Sequence, residues 1–233
     1  VELPPGHRWS NPMRDIRLSV VQNVAWPWAR HQVAATRVLG NTVRFEQQPD
    51  LTFPGGDRWL SADLKSLAYL APGIERISED THSDGPLWQI RMATDESRRF
   101  RMQTSRPDLK GAFTVHNDRF DEVDLTSDYL DVHFRLEHLN FGSVPEVYLY
   151  GGLTGWSLDP DYRMEYDASK QVFSLHTTLK QGWYDYQYVT PDGDEVTFEG
   201  SHAGTPNRYH VFVHVPAPDG TDRIIGFEAL DSN

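Results

Sequence analysis

The sequence predicts an all-β protein built as two consecutive antiparallel β-sandwich domains. Three observations carry that expectation. Apolar and polar residues alternate at period two in one segment after another. The 15 Pro and 17 Gly are spread along all 233 residues, as punctuation between short strands would be. No βαβ rhythm, dinucleotide fingerprint or phosphate-binding loop interrupts the pattern.

Taken in order, Ile16, Leu18 and Val20 alternate with Arg17 and Ser19, the signature of a half-buried strand. Segments 33–39 and 42–47 flank Gly40-Asn41, a two-residue hairpin signal. In 61–70, Leu64, Leu67 and Ala68 fall on one side of a short helix-like turn. Strands are expected at 87–92 and 98–103, separated by a Thr94-Asp95-Glu96 turn. The character then changes, with Pro107, Gly111 and an acidic run of Asp118, Asp121, Glu122 and Asp124. That stretch reads as an inter-domain connection. Beyond it Leu130, Val132, Phe134 and Leu136 face one way, and Asp131, His133, Arg135 and Glu137 the other. Phe173, Leu175 and Leu179 repeat this spacing, followed by Tyr184, Tyr186 and Tyr188, then Tyr209, Val211, Val213 and Val215. The expected division is a first domain at residues 1–105, a linker at 106–126 and a second domain at 127–233.

Composition excludes several classes of function. With 38% hydrophobic and 12% aromatic residues the chain is globular rather than disordered. Asp and Glu number 34 against 22 Lys and Arg, a formal charge of −12 that repels phosphate backbones and anionic lipid surfaces. Nucleic acid and membrane insertion are therefore not expected. The absence of Cys removes disulfides, thiolate metal sites and thiol chemistry together. No apolar run reaches membrane-spanning length. The opening Val1-Glu2-Leu3, without an initiating Met, is expected of a fragment or a processed product.

The residues offer few reactive constellations. His210 and His214 share a strand face but stand about 13 Å apart, too far to hold one metal. His31, His82, His116, His133, His176 and His202 follow no ligand spacing. The acidic run lacks the glycine-punctuated loop of a calcium site, and Asp159-Pro160-Asp161 and Asp192-Gly193-Asp194 read as turns. Gly200-Ser201-His202 is no nucleophile elbow. No catalytic residue, cofactor or metal is expected.

One stretch points to a binding module. Gly151-Gly152-Leu153-Thr154-Gly155-Trp156 forms a glycine turn ending in an aromatic. It precedes Phe173, Leu179 and Gly182-Trp183-Tyr184-Asp185-Tyr186-Gln187-Tyr188. This order resembles glycogen-binding modules of the early-set, immunoglobulin-like type, in which a turn tryptophan lies flat on a sugar ring. The resemblance covers roughly the last hundred residues and implies an α-glucan ligand. Trp156 matches the first aromatic platform, with Trp183 close by, and Asn207 matches the late asparagine. Gln187 stands where the module has a basic residue, and Asp194-Glu195-Val196 stand where a second tryptophan belongs. Trp156 is therefore expected first as a turn anchor at the sandwich edge.

Three passages together resemble a longer family. They are Val20-Val21-Gln22-Asn23 with Trp26, then Phe53-Pro54-Gly55-Gly56-Asp57-Arg58-Trp59 with Asp63-Leu64-Lys65-Ser66-Leu67, and the C-terminal run. That run extends from Gly151 through Glu199-Gly200-Ser201-His202 to Asp222-Arg223-Ile224-Ile225-Gly226. Their order is similar to the plug proteins of the type IX secretion system of Bacteroidetes, long catalogued as a domain of unknown function. The resemblance implies a non-enzymatic periplasmic protein that associates with the outer-membrane β-barrel translocon and seals its periplasmic opening. It also implies members about twice this length, with a further β domain upstream. Trp59 is expected to fill the domain core beside a tight Pro54-Gly55-Gly56 bend, with a partner surface as the other reading.

Overall fold

The structure, a computed structural model, describes residues 1–3, 9–46, 49–56, 59–82, 85–100, 108–119, 126–138, 143–192, 197–202, 204–217 and 219–232. The chain is all-β, as predicted, and divides into two nested units. Val1–Gly55 and Gly204–Asn233 build unit 1, and Gly56–Ala203 forms unit 2.

Unit 1 begins with β1 (Arg17–Gln22), β2 (Arg30–Ala34), β3 (Arg37–Leu39) and β4 (Thr42–Arg44). Unit 2 contains β5 (Leu60–Asp63), β6 (Ile74–His82), β7 (Gly85–Asp95), β8 (Phe113–Val115), β9 (Tyr129–Glu137) and β10 (Tyr148–Tyr150). It continues with β11 (Glu165–Asp167), β12 (Val172–Lys180) and β13 (Gly182–Val189). The chain then returns to unit 1 as β14 (Arg208–Pro216) and β15 (Asp222–Asp231).

In unit 1 the order β15-β14-β1-β2 makes one antiparallel sheet, and β3 pairs with β4 across the Gly40-Asn41 turn. Gly40 sits at φ +58°, the left-handed conformation that a tight hairpin turn requires and that glycine adopts without steric cost. Leu18, Val20 and Val33 pack with Phe53, Tyr209, Val211 and Val213. Ile16, Ala35 and Val43 make a second small cluster with Val38, Phe45 and Val215.

Unit 2 is a sandwich. Its larger sheet runs β11-β12-β9-β7-β6, and its smaller one runs β10-β13-β5 with β8 also on β13. All pairings in the larger sheet are antiparallel except β7 with β9, which run parallel. The core lies between the sheets. Leu130, Val132, Phe134 and Leu136 of β9 are buried together with Tyr184, Tyr186 and Tyr188 of β13. Strict alternation on β9, buried at every second residue, comes from the pleat, which sends successive side chains to opposite faces.

Several expectations need correction. The boundary at 106–126 fails because strands on either side of it pair. β1 joins β14, β5 joins β13, and β7 joins β9. The expected linker itself contributes β8 to the smaller sheet. Residues 61–63 are not helix-like but part of β5, whose ladder with β13 overrides the local apolar spacing. Thr94 and Asp95 belong to β7, and 98–100 are not strand, so the described residues of 87–92 and 98–103 form no hairpin. Residues 101–103 lie outside the described residues, as do Asp57, Arg58, Asp121, Glu122, Asp124 and 193–196.

Candidate functional site

The sequence candidates on unit 2 gather on the face of β13 opposite the core. Along β13 the tyrosines point into the sandwich, so Trp183, Asp185 and Gln187 point away from it. A loop at 108–112 closes over that face. Asp185 holds it there: the Leu109 N–H donates to Asp185 Oδ2, and Gly111 N–H donates to the same oxygen at 3.3 Å. Trp183 Nε1 donates to Asp185 Oδ1 at 2.9 Å, and Asp185 N–H donates to Ala112 O at 3.1 Å. Asp185 is fully buried, and burial pushes its pKa up against the three hydrogen bonds that stabilise its charged form.

Trp156 packs onto this assembly. Its ring meets Trp59 edge-on at 5.8 Å and Tyr150 at 6.1 Å, and Trp59 stacks on Tyr150 at 6.4 Å. Gly111, at φ +84°, leaves room for both indoles. A Cβ there would stand 2.6 Å from Trp59 and 2.7 Å from Trp156. Trp156 itself has φ 60°, a costly conformation for a bulky residue that the ring packing sustains. The half-buried indole is thus packed against Trp59 and Tyr150 as a turn anchor. Trp59 is a core residue at 9% exposure.

Two candidates fail as surface residues. Gln187 is 5% exposed, opposite Tyr150 in the β10–β13 ladder. Asn207, 3% exposed, belongs to unit 1 and acts as a clamp. Its Nδ2 donates to Gly55 O at 2.8 Å, its Oδ1 accepts from Asn23 Nδ2 at 2.7 Å, and its N–H donates to Ser232 Oγ at 2.8 Å. Asn23, left-handed at φ 48°, returns the bond by accepting from Arg208 N–H at 2.9 Å. Trp183 remains half-buried, with Lys65 Nζ 5.7 Å from its ring centroid.

Sequence reading missed a polar network inside unit 2. Asp95 accepts from Tyr186 and Tyr188 hydroxyls at 2.9 and 2.7 Å. Glu199, 2% exposed, accepts from Tyr188 N–H at 2.9 Å and from Arg98 Nε at 2.8 Å. Burial pushes the pKa of both carboxyls up, while the tyrosine donors at Asp95 and the Arg98 charge at Glu199 oppose it. Glu199 ties 97–98 and 198–199 to β13, through Arg98 on one side and Tyr188 N–H on the other. The network's signal in the sequence is the Tyr-x-Tyr spacing, which implies two buried hydroxyls needing acceptors. Among the described residues no group of three or more His, Asp or Glu is placed to hold a metal. His210 instead stacks on Phe227 at 5.9 Å.

Fold and site together define an all-β sandwich protein. No protein-family model matches the chain, and no curated protein matches it. A crystal structure of a hypothetical protein from Parabacteroides merdae ATCC 43184 is similar over 98% of this chain, with 26% identity and a TM-score of 0.88. The chain spans 58% of the length of that neighbour.

Proposed function

We propose that this chain is a protein-binding subunit of the type IX secretion plug kind, working in the periplasm against an outer-membrane β-barrel translocon. The observation that carries the reading is β15. It is the edge of its sheet, so one side of its backbone is unpaired among the described residues. It also exposes Ile224 by 60%, Ile225 by 47%, Phe227 by 57% and Leu230 by 51%. Phe227 continues across the sheet to Phe212 at 5.1 Å, which meets Trp26 at 5.5 Å, and Trp26 is 46% exposed. An apolar edge with an aromatic strip beside it suits strand addition and side-chain anchoring by a protein partner.

The sequence passages that carry the family resemblance support the same reading. The test is a pull-down of the cognate translocon barrel with the full-length protein. Capture is expected, and Phe227→Glu with Ile224→Asp is expected to weaken it at least about tenfold. An empty pull-down with the unaltered protein overturns the reading. Saturable Trp quenching by α-glucan oligosaccharides, abolished in Trp156→Ala, would replace it with glycan binding.

A further inference from the structure

The larger sheet of unit 2 turns one face to the core and the other outward, and the outward face is organised. The strand register sets His176 of β12 opposite His133 of β9, His133 opposite Arg91 of β7, and Arg91 opposite Arg76 of β6. Four basic side chains thus form one row across four strands, about 14 Å long at ordinary strand spacing. Within it Arg91 and Arg76 are like charges directly opposite one another, a pairing that destabilises a sheet. In a chain of net charge −12, with carboxylates in excess, such a row is an arrangement the fold alone does not call for.

The neighbouring carboxylates reach the row at its His176 end and leave its two arginines without an ion pair among the described residues. Glu75 pairs with Arg135, Asp80 accepts from Gln89 at 3.3 Å, and Asp131 lies 3.3 Å from His176 Nδ1. Arg76 and Arg91 have no hydrogen-bond or ion-pair partner among the described residues, and both are exposed. The two imidazoles are stacked at 4.1 Å and 15°. Burial, then the charges of His176, Arg135 and Arg91, hold the His133 pKa at about 4. A depression of about 160 Å³ is lined by Arg76, Ser78, Gln89, Arg91, Asp131, His133 and His176. A second, of about 350 Å³, shares Arg91 and His133 and adds Arg135 together with Lys170 and its ion-pair partner Asp167.

We propose that this face is a recognition surface for an acidic, extended polypeptide segment whose carboxylates seat on the Arg76–Arg91–His133–His176 row. Guanidinium forks match carboxylates bidentately, and an extended segment presents side chains on one side at about 7 Å intervals, within reach of a row of basic groups. Ser78 and Gln89 offer hydrogen bonds to the segment's backbone. A nucleic acid fits less well: the whole-molecule charge repels a long polyanion, and no Trp, Tyr or Phe lines either depression to stack a base. The inference goes beyond the plug reading and rests on residues of unit 2, whereas β15 belongs to unit 1, so either can fail alone.

The test uses a fluorescein-labelled octapeptide of alternating Asp and Ser, titrated by anisotropy against the full-length protein, with a Lys-Ser octapeptide as control. Saturable binding of the acidic peptide alone is expected, weakened by raising salt to about 300 mM. It should fall at least about tenfold in Arg76→Gln/Arg91→Gln. That variant relieves like-charge repulsion, so its Tm should be unchanged or higher, and a lost signal cannot be laid to unfolding. The imidazole resonances of His133 and His176 should shift on adding peptide. Absence of saturable binding, binding unchanged in the double variant, or silent His133 and His176 resonances would each overturn the proposal. So would equal displacement of the peptide by a single-stranded DNA octamer.

Discussion

At the scale of single residues, the smallest side chain governs the largest. Gly111 has the left-handed backbone and the open space on which Trp59 and Trp156 rest. Gly111→Ala is expected to destabilise unit 2 by about 1–3 kcal/mol and to red-shift tryptophan emission, readable in a urea titration followed by fluorescence. Glu199 makes the complementary point. Glu199→Ala leaves Arg98 with a lost charge partner and Tyr188 N–H with a lost acceptor, and is expected to cost about 3–5 kcal/mol. Glu199→Gln, which keeps the shape and one acceptor, should cost less in the same melts. Trp156 was legible as a turn aromatic, because its glycine run is local. Its true neighbours were not: Gly111 and Trp59 reach it from far along the chain, and period-two spacing carries no record of which loop covers a face.

At the scale of strands, legibility followed burial on one side only. β9 could be read residue by residue because one face is core and the other polar. β13 misleads, since both of its faces are covered and its outward Asp185 and Gln187 look like surface residues. The 61–70 segment was misread because its first residues answer to β13 rather than to their own apolar spacing. The β9–β12 ladder also gives the molecule an acid response. His133 is held at about pH 4 in the folded state against 6.5 ordinarily. Between those values the unfolded chain takes up a proton that the folded one refuses. Stability from this residue is therefore whole above about pH 6.5 and drains away as pH falls towards 4. Burial enforces this first, then His176, Arg135 and Arg91, and Asp131 opposes it. Thermal melts from pH 7 to 4 should show the decline, and His133→Gln should flatten it.

For the whole molecule, the nested path of the chain settles which parts depend on which. Unit 1 draws its sheet from both ends, so β1 has β14 as partner across six residue pairs. Removing residues 204–233 takes away β14 and β15 and is expected to unfold the rest of unit 1. Unit 2, at 56–203, keeps both of its sheets and its core, and should fold alone with a cooperative melt and dispersed amide resonances. A collapsed, non-cooperative 56–203 fragment would contradict that. The all-β class was legible because it sums many local patterns. The nesting was not, because a strand's alternation reports its faces and says nothing of its edges.

That nesting has a mechanical side. Any pull transmitted along the polypeptide through the segments flanking β1 and β15 meets the β1–β14 ladder, closed from Arg17↔His214 to Gln22↔Tyr209. Everything between Gln22 and Tyr209, unit 2 included, hangs in the loop which that ladder closes. The inner sandwich stays slack until the outer sheet shears. Unit 1 thus serves as a clasp, and the force at which it opens is the threshold at which unit 2 is first pulled.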